Sequence, residues 1–126
     1  MDNIAKNSVL VIDDEKTNLM ILSRMLAPNY TVYLTKNGTS AIEMINKCMP
    51  DLILLDVIMP DISGFDVLKM IKESPAIQNI PVIFITGLES AEDEKKGLGL
   101  GAVDFIHKPF SEEKVMSKVQ AHLPIV

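Results

Sequence analysis

Residues Leu52 to Gly64 read LILLDVIMPDISG and carry the strongest indication of the fold. The segment begins with an unbroken run of four large apolar residues, which is typical of a strand buried on both faces of a sheet. A single carboxylate, Asp56, follows directly, and a turn containing Pro60 and Gly64 comes after it. Because a carboxylate is costly to remove from water, Asp56 is either a solvated residue at a strand end or an oxygen placed there for chemistry.

The size and composition of the chain indicate one domain. Its 126 residues are 48% hydrophobic and 23% charged, so the chain can bury a core without disulfides or a structural metal. No apolar run approaches the roughly 18 residues that span a bilayer, and no secretory signal is visible. The single cysteine, Cys48, suits a cytoplasmic protein. We therefore expect one domain over residues 1–126, with its core at about 7–123, in the cytoplasm and without membrane contact.

The charge balance bears on partners. The net charge is −5 and the isoelectric point is about 4.9, and the chain has no cluster of lysine and arginine. This pattern argues against direct binding of nucleic acid by this chain.

Apolar runs of strand character alternate with stretches of helical periodicity. The predicted strands are Val9–Ile12, Thr31–Thr35, Leu52–Leu55, Val82–Ile85 and Val103–Ile106. The predicted helices cover about 15–26, about 39–47, the residues after Gly64 to just before Pro75, the residues from about Ala91 to the glycine-rich 97–101 segment, and the residues after the N-cap candidate Ser111. Such alternation predicts right-handed crossovers and an α/β fold, a doubly wound five-stranded parallel sheet in the order 2-1-3-4-5 with five helices.

Polar residues gather where the predicted strands end. Asp13 and Asp14 follow the first strand and Asp56 the third, while Thr86 follows the fourth and Lys108 comes just beyond the fifth. In a doubly wound sheet, ligands bind at the carboxyl ends of the strands where strand order reverses. Because the first and third strands are predicted neighbours, we expect the three carboxylates to converge there.

Three converging carboxylates would repel one another unless a cation joins them. All-oxygen ligation with few protein ligands favours Mg²⁺, which usually completes its shell with water and phosphate oxygens. Lys108 and Thr86 would supply hydrogen-bond donors to phosphoryl oxygens. Each residue alone has an ordinary explanation, since the aspartate pair can cap a helix, Asp56 can end a strand, Thr86 can sit in a turn and Lys108 can be solvated. Their joint placement favours a site.

Four motifs resemble the receiver domain of two-component response regulators, in particular the chemotaxis-regulator type. They are VLVIDDE at residues 9–15, LILLDVIMPDISG at 52–64, VIFITG at 82–87 and GAVDFIHKPF at 101–110. The resemblance covers essentially the whole chain and implies a flavodoxin-like three-layer sandwich.

The resemblance also implies roles for individual residues. Asp56 would be the phosphoacceptor, and Asp14 a direct Mg²⁺ ligand. Asp13 would act on the metal through water, and the backbone carbonyl of Ile58 would complete the protein ligands. Mn²⁺ or Ca²⁺ would be expected substitutes for Mg²⁺.

Further implied roles concern the switch. Lys108 would pair with Asp56 and then with the phosphoryl group, Thr86 would move toward the phosphate, and Phe105 would turn inward with it. The bond from Lys108 to Pro109 resembles one that is often cis in this family.

The resemblance implies a sensor histidine kinase or a phosphotransfer protein as phosphoryl donor. Output would use the face of the fourth helix, fifth strand and fifth helix, either for partner docking or for a homodimer. The chain would be no metabolic enzyme, although it would assist its own phosphoryl transfer and slow autodephosphorylation. It would be either a single-domain regulator or a receiver cut from a longer multidomain protein.

Two apolar residues bear on how long the phosphoryl group would last, and one of them bears on the alternative functions. Ile58 and Leu88 stand where the family flanks the path of hydrolytic water, so we predict slow loss of the phosphoryl group. A phosphatase of the haloacid dehalogenase type would need an acid two residues after its nucleophile, and Ile58 cannot supply one. A receiver-like module that serves only for protein interaction would usually have lost an acid or the lysine, whereas all are present here.

Overall fold

The computed structural model describes residues 6–87 and 91–126, and within them strands and helices alternate. The strands are β1 (Ser8–Ile12), β2 (Thr31–Thr35), β3 (Leu52–Leu55), β4 (Val82–Thr86) and β5 (Asp104–His107). The helices are α1 (Lys16–Leu26), α2 (Ala41–Cys48), α3 (Gly64–Lys72), α4 (Ala91–Gly99) and α5 (Glu112–His122). No helix within the described ranges combines the length and apolar character needed to cross a membrane.

The five strands form one parallel sheet in the order β2-β1-β3-β4-β5. This order confirms the predicted doubly wound α/β fold. Strands β1 and β3 are hydrogen-bonded neighbours, and Ile12 is in register with Leu55. Because Asp13 and Asp56 directly follow these two strands, the register alone places their carboxylates side by side.

The core consists of two layers, one on each face of the sheet. Alternate residues of each strand point to opposite faces, so Leu55 packs in the layer under α2 and α3 while Leu54 packs in the layer under α1 and α5. All four residues of β3 are buried completely, as its unbroken apolar run predicts. The resulting arrangement is a helix–sheet–helix sandwich.

The sequence misplaced the ends of three strands by one residue. Strand β1 begins at Ser8 instead of Val9. Strand β4 extends to Thr86, and β5 covers Asp104–His107 instead of beginning at Val103. The reason is pairing across the sheet, since Thr86 is in register with His107 at the end of the β4–β5 ladder. Thr86 therefore belongs to the strand and is buried with it.

Serine caps and glycines mark the ends of three of the helices. The Ser111 hydroxyl accepts a hydrogen bond from the backbone N–H of Lys114, which confirms the predicted N-cap of α5. Ser63 caps α3 in the same way through the N–H of Phe65. Helix α4 ends at Gly99, inside the segment where the glycines predicted its end.

Candidate functional site

Three carboxylates meet at the carboxyl ends of β1 and β3. Asp13, Asp14 and Asp56 each offer one oxygen, and these oxygens lie within 4.8 Å of one another. Asp13 is 0% exposed and Asp56 is 3% exposed, while Asp14 is half-buried. The structure thus brings together the three acids that the sequence predicted would converge.

The backbone holds two of these acids in place. The N–H of Asp56 donates to the carbonyl of Ile12 at 2.9 Å, and the N–H of Asp13 donates to the carbonyl of Thr35 at 3.2 Å. Hydrogen bonding between strands therefore continues one residue beyond each strand end. The carboxylates stand on the rigid edge of the sheet rather than on a free loop.

Lys108 connects the acids to β5. Its Nζ lies 3.1 Å from Oδ2 of Asp56 and also 3.1 Å from Oδ2 of Asp13. The sequence predicted the contact with Asp56 but not the second one with Asp13. The backbone N–H of Lys108 donates to the carbonyl of Thr86 at 2.8 Å, which ties the lysine to the end of β4.

The charges of the pocket are unbalanced, because one lysine faces three carboxylates. Burial and the nearby charge of Asp13 raise the pKa of Asp56 to about 6, against the opposing effects of Lys108 and the Ile58 N–H. Burial lowers the pKa of Lys108, but attraction to Asp56 and Asp13 outweighs it, so that pKa lies above its ordinary value. A buried, all-oxygen set with excess negative charge is suited to a hard divalent cation such as Mg²⁺.

Asp13 also takes part in capping α1, which is the ordinary explanation for an aspartate at this position. Its Oδ1 accepts the N–H of Glu15 at 2.9 Å at the start of α1, and its Oδ2 lies 3.4 Å from Nδ2 of Asn18. The same Oδ2 faces Lys108. Asp13 therefore joins the entry of α1 to the acid pocket, so the two explanations hold together.

The predicted switch residues lie at the neighbouring strand ends. Thr86 is buried at the end of β4. The ring of Phe105 is 4% exposed and packs against Phe84, with 5.3 Å between the ring centroids. The Phe105 ring is therefore buried against Phe84 in this structure.

Helix α4 lies directly on the Phe105 ring at Gly97. A Cβ atom at Gly97 would lie 2.7 Å from Phe105 and 3.0 Å from Phe84, closer than real Cβ contacts allow. The sequence predicted only that the glycines of this segment end the helix. No local sequence pattern predicts that Gly97 lies within the helix and packs against the ring of Phe105, 8 residues later in the chain.

The remaining predicted site residues flank the acids. The Ile58 N–H donates to Oδ1 of Asp56 at 3.3 Å, and its side chain is 59% exposed. The bond from Lys108 to Pro109 is cis, as the resemblance implied. Leu88, the second residue predicted to flank the path of water, lies outside the described residues.

Asp61 is a polar residue that the sequence reasoning missed. It lies in the segment between β3 and α3, and its carboxylate accepts hydrogen bonds from the backbone N–H groups of Gly38 and Thr39. The hydrogen bond from Thr39 is the main cause that lowers the pKa of Asp61 below its ordinary value. An aspartate after a proline suggests a turn, and nothing nearby in the chain indicates a partner 22 residues away.

A sequence-family model described as the response regulator receiver domain matches residues 9–120. This chain is a response regulator receiver domain. Two curated relatives of the receiver domain are a probable cyclic di-GMP phosphodiesterase of Vibrio cholerae, 39% identical over 98% of this chain, and the response regulator PleD of Caulobacter vibrioides, 37% identical over 90% of it. The chain spans 28% and 25% of their respective lengths.

A solved structure shows the same architecture. The chemotaxis protein CheY4 of Vibrio cholerae superimposes on this receiver domain with a TM-score of 0.89 at 28% sequence identity, covering 94% of this chain and all of that one. Membership of the family makes this chain the receiver domain of a two-component response regulator, and receiver domains are signalling switches. Receiver domains bind Mg²⁺ at an acidic pocket, and the family implies contact with a histidine kinase or a phosphotransfer partner.

Proposed function

We propose that this receiver domain is a phosphorylation-controlled switch and that Asp56 is its phosphoacceptor. The observation that carries the proposal is the position of Asp56, a carboxylate buried at the end of a central strand, 3.1 Å from Lys108 and beside Asp13 and Asp14. An aspartate that merely ended a strand would be expected in water. Asp56 is instead buried beside Lys108, which can pair with a phosphoryl group, and beside two acids that can hold a cation.

The proposed reaction transfers a phosphoryl group from a histidine of a sensor kinase or phosphotransfer protein. A carboxylate oxygen of Asp56 forms the new P–O bond while the P–N bond to the imidazole breaks. The electron pair leaves with the imidazole nitrogen, which takes up a proton. Because both reactants are negatively charged, the receiver contributes positioning and charge neutralisation, and Lys108 is placed to do both.

The acids provide the proposed metal site. Asp14 and Asp56 would bind Mg²⁺ directly, Asp13 would act through water, and the Ile58 carbonyl would complete the protein ligands, with Mn²⁺ or Ca²⁺ as substitutes. The converging carboxylates support this assignment. When bound, the cation neutralises charge on the phosphoryl oxygens.

Thr86 and Phe105 form the proposed relay. The Thr86 hydroxyl would bond to a phosphoryl oxygen, and the phosphorylated state would stabilise the inward position of Phe105 beneath α4. The output face would be that of α4, β5 and α5, used by a docking partner or a second copy. It carries a shallow cavity of about 190 Å³ lined by Glu94, Phe105, Ile106, His107, Lys114 and Lys118.

Ile58 supports a long-lived phosphoryl state. Its side chain is largely exposed two residues after Asp56 and has no polar atom with which to orient a water molecule. The same feature speaks against a phosphatase, which would need a proton donor there. We expect Ile58→Asn to speed the loss of the phosphoryl group, as followed by the decay of the phosphorylated mass.

The wider setting is also a proposal. The two relatives are about three and a half times as long as the chain, which supports a receiver that regulates an output region of a longer protein. Family membership and the single free cysteine support a cytoplasmic location. The net charge of −5 supports protein partners rather than nucleic acid.

Incubation with acetyl phosphate and Mg²⁺ tests the switch. We expect the intact mass to rise by one phosphoryl group in the wild type and to stay unchanged in Asp56→Asn. Asp66→Asn is the matched control, since Asp66 is an exposed aspartate on α3 whose carboxylate lies 3.9 Å from Lys69. Full labelling of Asp56→Asn, or no labelling of the wild type with any small donor, would contradict the proposal, and the second result would favour an interaction module.

A further inference from the structure

Asp61 joins two loops that lie at the carboxyl ends of strands β2 and β3. It belongs to the 56–63 loop, which follows β3 and begins with Asp56. Its Oδ2 accepts the backbone N–H of Thr39 at 2.8 Å, and its Oδ1 accepts that of Gly38 at 3.4 Å. Both donors lie in the 36–40 loop, between β2 and α2. The carboxylate thus joins two loops that follow different strands.

Asp61 provides at α2 what the local sequence does not. The N-cap residue Ser40 makes no side-chain hydrogen bond to the helix. Its hydroxyl donates instead to the carbonyl of Asn37 at 3.2 Å. The N–H groups just before α2 are therefore satisfied by a carboxylate from the neighbouring loop, where negative charge is also favoured by the helix dipole.

Packing supports the same connection. A Cβ atom at Gly38 would overlap the side chain of Ile62, the residue next to Asp61, and would lie 3.1 Å from the end of Met59. The glycine therefore allows the 36–40 loop to lie directly on the 56–63 loop. The contact between the two loops therefore combines the hydrogen bonds of Asp61 with the close packing of the next residue, Ile62.

The 56–63 loop is also closed at its base. The N–H of Gly64 donates to the carbonyl of Val57 at 2.8 Å, and a Cβ at Gly64 would overlap the backbone carbonyl of Asp56. Between this closure and Asp61 lies Ile58, whose N–H donates to Oδ1 of Asp56. The Ile58 peptide is thus held between one attachment at the base of the loop and another at Asp61.

We propose that Asp61 is a positioning residue for the phosphoacceptor and metal site. Its hydrogen bonds to residues 38–39 hold the 56–63 loop so that the Ile58 peptide stays against Asp56. This inference rests on the proposed function for its metal, while the loop contacts stand without it. Partners outside the ligand shell typically change metal affinity about 10–100-fold, which sets the expected size of the effect.

Three variants of the whole chain test the proposal. Asp61→Ala removes both acceptor oxygens, Asp61→Asn keeps one of them, and Asp66→Asn removes one carboxylate charge from the exposed side of α3. Mg²⁺ affinity is measured by calorimetry, and the backbone amides are followed by NMR without metal. We expect Asp61→Ala to weaken Mg²⁺ binding about 10-fold, Asp61→Asn to recover part of the loss and Asp66→Asn to match the wild type.

The amide of Ile58 separates positioning from a merely structural role. If Asp61 only stabilised α2, its removal would shift the amides of Thr39 and α2 and leave Ile58 unchanged. We expect the Ile58 amide to shift as well. An unchanged Ile58 amide would overturn the proposal, and so would equal losses of Mg²⁺ affinity in Asp61→Ala and Asp61→Asn, because charge alone would then explain them.

The same experiments distinguish this proposal from the proposed function. If the wild type binds Mg²⁺ and Asp61→Ala weakens it, but acetyl phosphate labels neither, the switch fails and the positioning role stands. If acetyl phosphate labels Asp56 in all variants and Mg²⁺ affinity does not change, the switch stands and the positioning role of Asp61 is wrong.

Discussion

Strand β3, which leads into Asp56, and helix α4, which packs on the Phe105 ring, are held very differently in the fold. Every residue from Leu52 to Val57 is buried, and β3 is hydrogen-bonded to β1 and β4. Helix α4 buries only Gly97 among its residues, and its packing there depends on the absence of a side chain. The acid pocket thus stands on the most firmly packed strand, while the element over Phe105 is lightly anchored.

This contrast suits a switch. A phosphoacceptor needs fixed neighbours, because positioning and electrostatics carry its chemistry. The element that responds must instead change position at a small cost in free energy. An element with few buried apolar contacts can do so. The glycines of α4 contribute, since each lowers the helix propensity by about 1 kcal/mol relative to alanine.

The largest expected effect compares two leucines. Leu54→Ala in β3 removes a completely buried side chain and should lower the free energy of unfolding by about 2–5 kcal/mol. Leu98→Ala in α4 removes one that is 43% exposed and should change it by no more than about 0.5 kcal/mol. Urea denaturation measures both. Equal losses at the two positions would show that α4 is anchored as firmly as β3.

A methyl group at Gly97 should act through Phe105. Gly97→Ala should cost about 1–3 kcal/mol by overpacking, partly offset by better helix propensity. It should also displace the Phe105 ring, as seen in aromatic NMR shifts. Gly99→Ala is the matched control, because nothing lies within 4 Å of its Cβ position, and it should be neutral or slightly stabilising. Unchanged Phe105 shifts in Gly97→Ala would contradict the packing argument.

Asp56→Asn should stabilise the metal-free protein at neutral pH by about 1–2 kcal/mol, because it removes a buried charge beside Asp13. The sign with pH follows from the raised pKa of Asp56, about 6 in the folded protein. Above this value the buried carboxylate is charged and costly, whereas near pH 4 the folded wild type already holds a proton. The gain should therefore shrink as pH falls from 6 to 4, in thermal melts without Mg²⁺. A gain that grows on acidification would contradict this cause.

The smallest effect concerns the ion pair between β5 and α5. Asp104 lies 2.8 Å from Lys118 and 3.2 Å from His122, and also accepts the Phe105 N–H. Burial raises the pKa of Asp104, but the hydrogen bond from Lys118 leads the effects that lower it overall. Lys118→Met should cost about 0.2–1 kcal/mol at pH 7.

The pH dependence of this pair has the opposite sign to that of Asp56. A lowered pKa gives stability that is present above the ordinary value for aspartate and is lost as pH falls through the folded value. The difference between Lys118→Met and the wild type should therefore vanish in acid, in urea titrations repeated at decreasing pH. A difference that persists in strong acid would mean that Lys118 acts through packing instead.

Much of the fold was predictable because the pattern repeats. Apolar runs bounded by helical stretches indicate a parallel sheet without any knowledge of contacts, and the observed strand order agrees. The errors at β4 and β5 arose because strand ends depend on the partner strand, as the pairing of Thr86 with His107 shows. A single chain segment does not contain that information.

The amino-acid pattern was enough to predict that Asp13, Asp14 and Asp56 meet, because carboxyl ends of parallel strands lie at one edge. Packing between distant segments sets the contacts of Lys108 with two of these acids, the fit of Gly97 against the Phe105 ring and the hydrogen bonds of Asp61 to the neighbouring loop. Each of the latter depends on distances of a few ångströms between segments far apart in the chain. Local propensity and periodicity specify which face a residue occupies, but side-chain packing between elements sets which atoms touch.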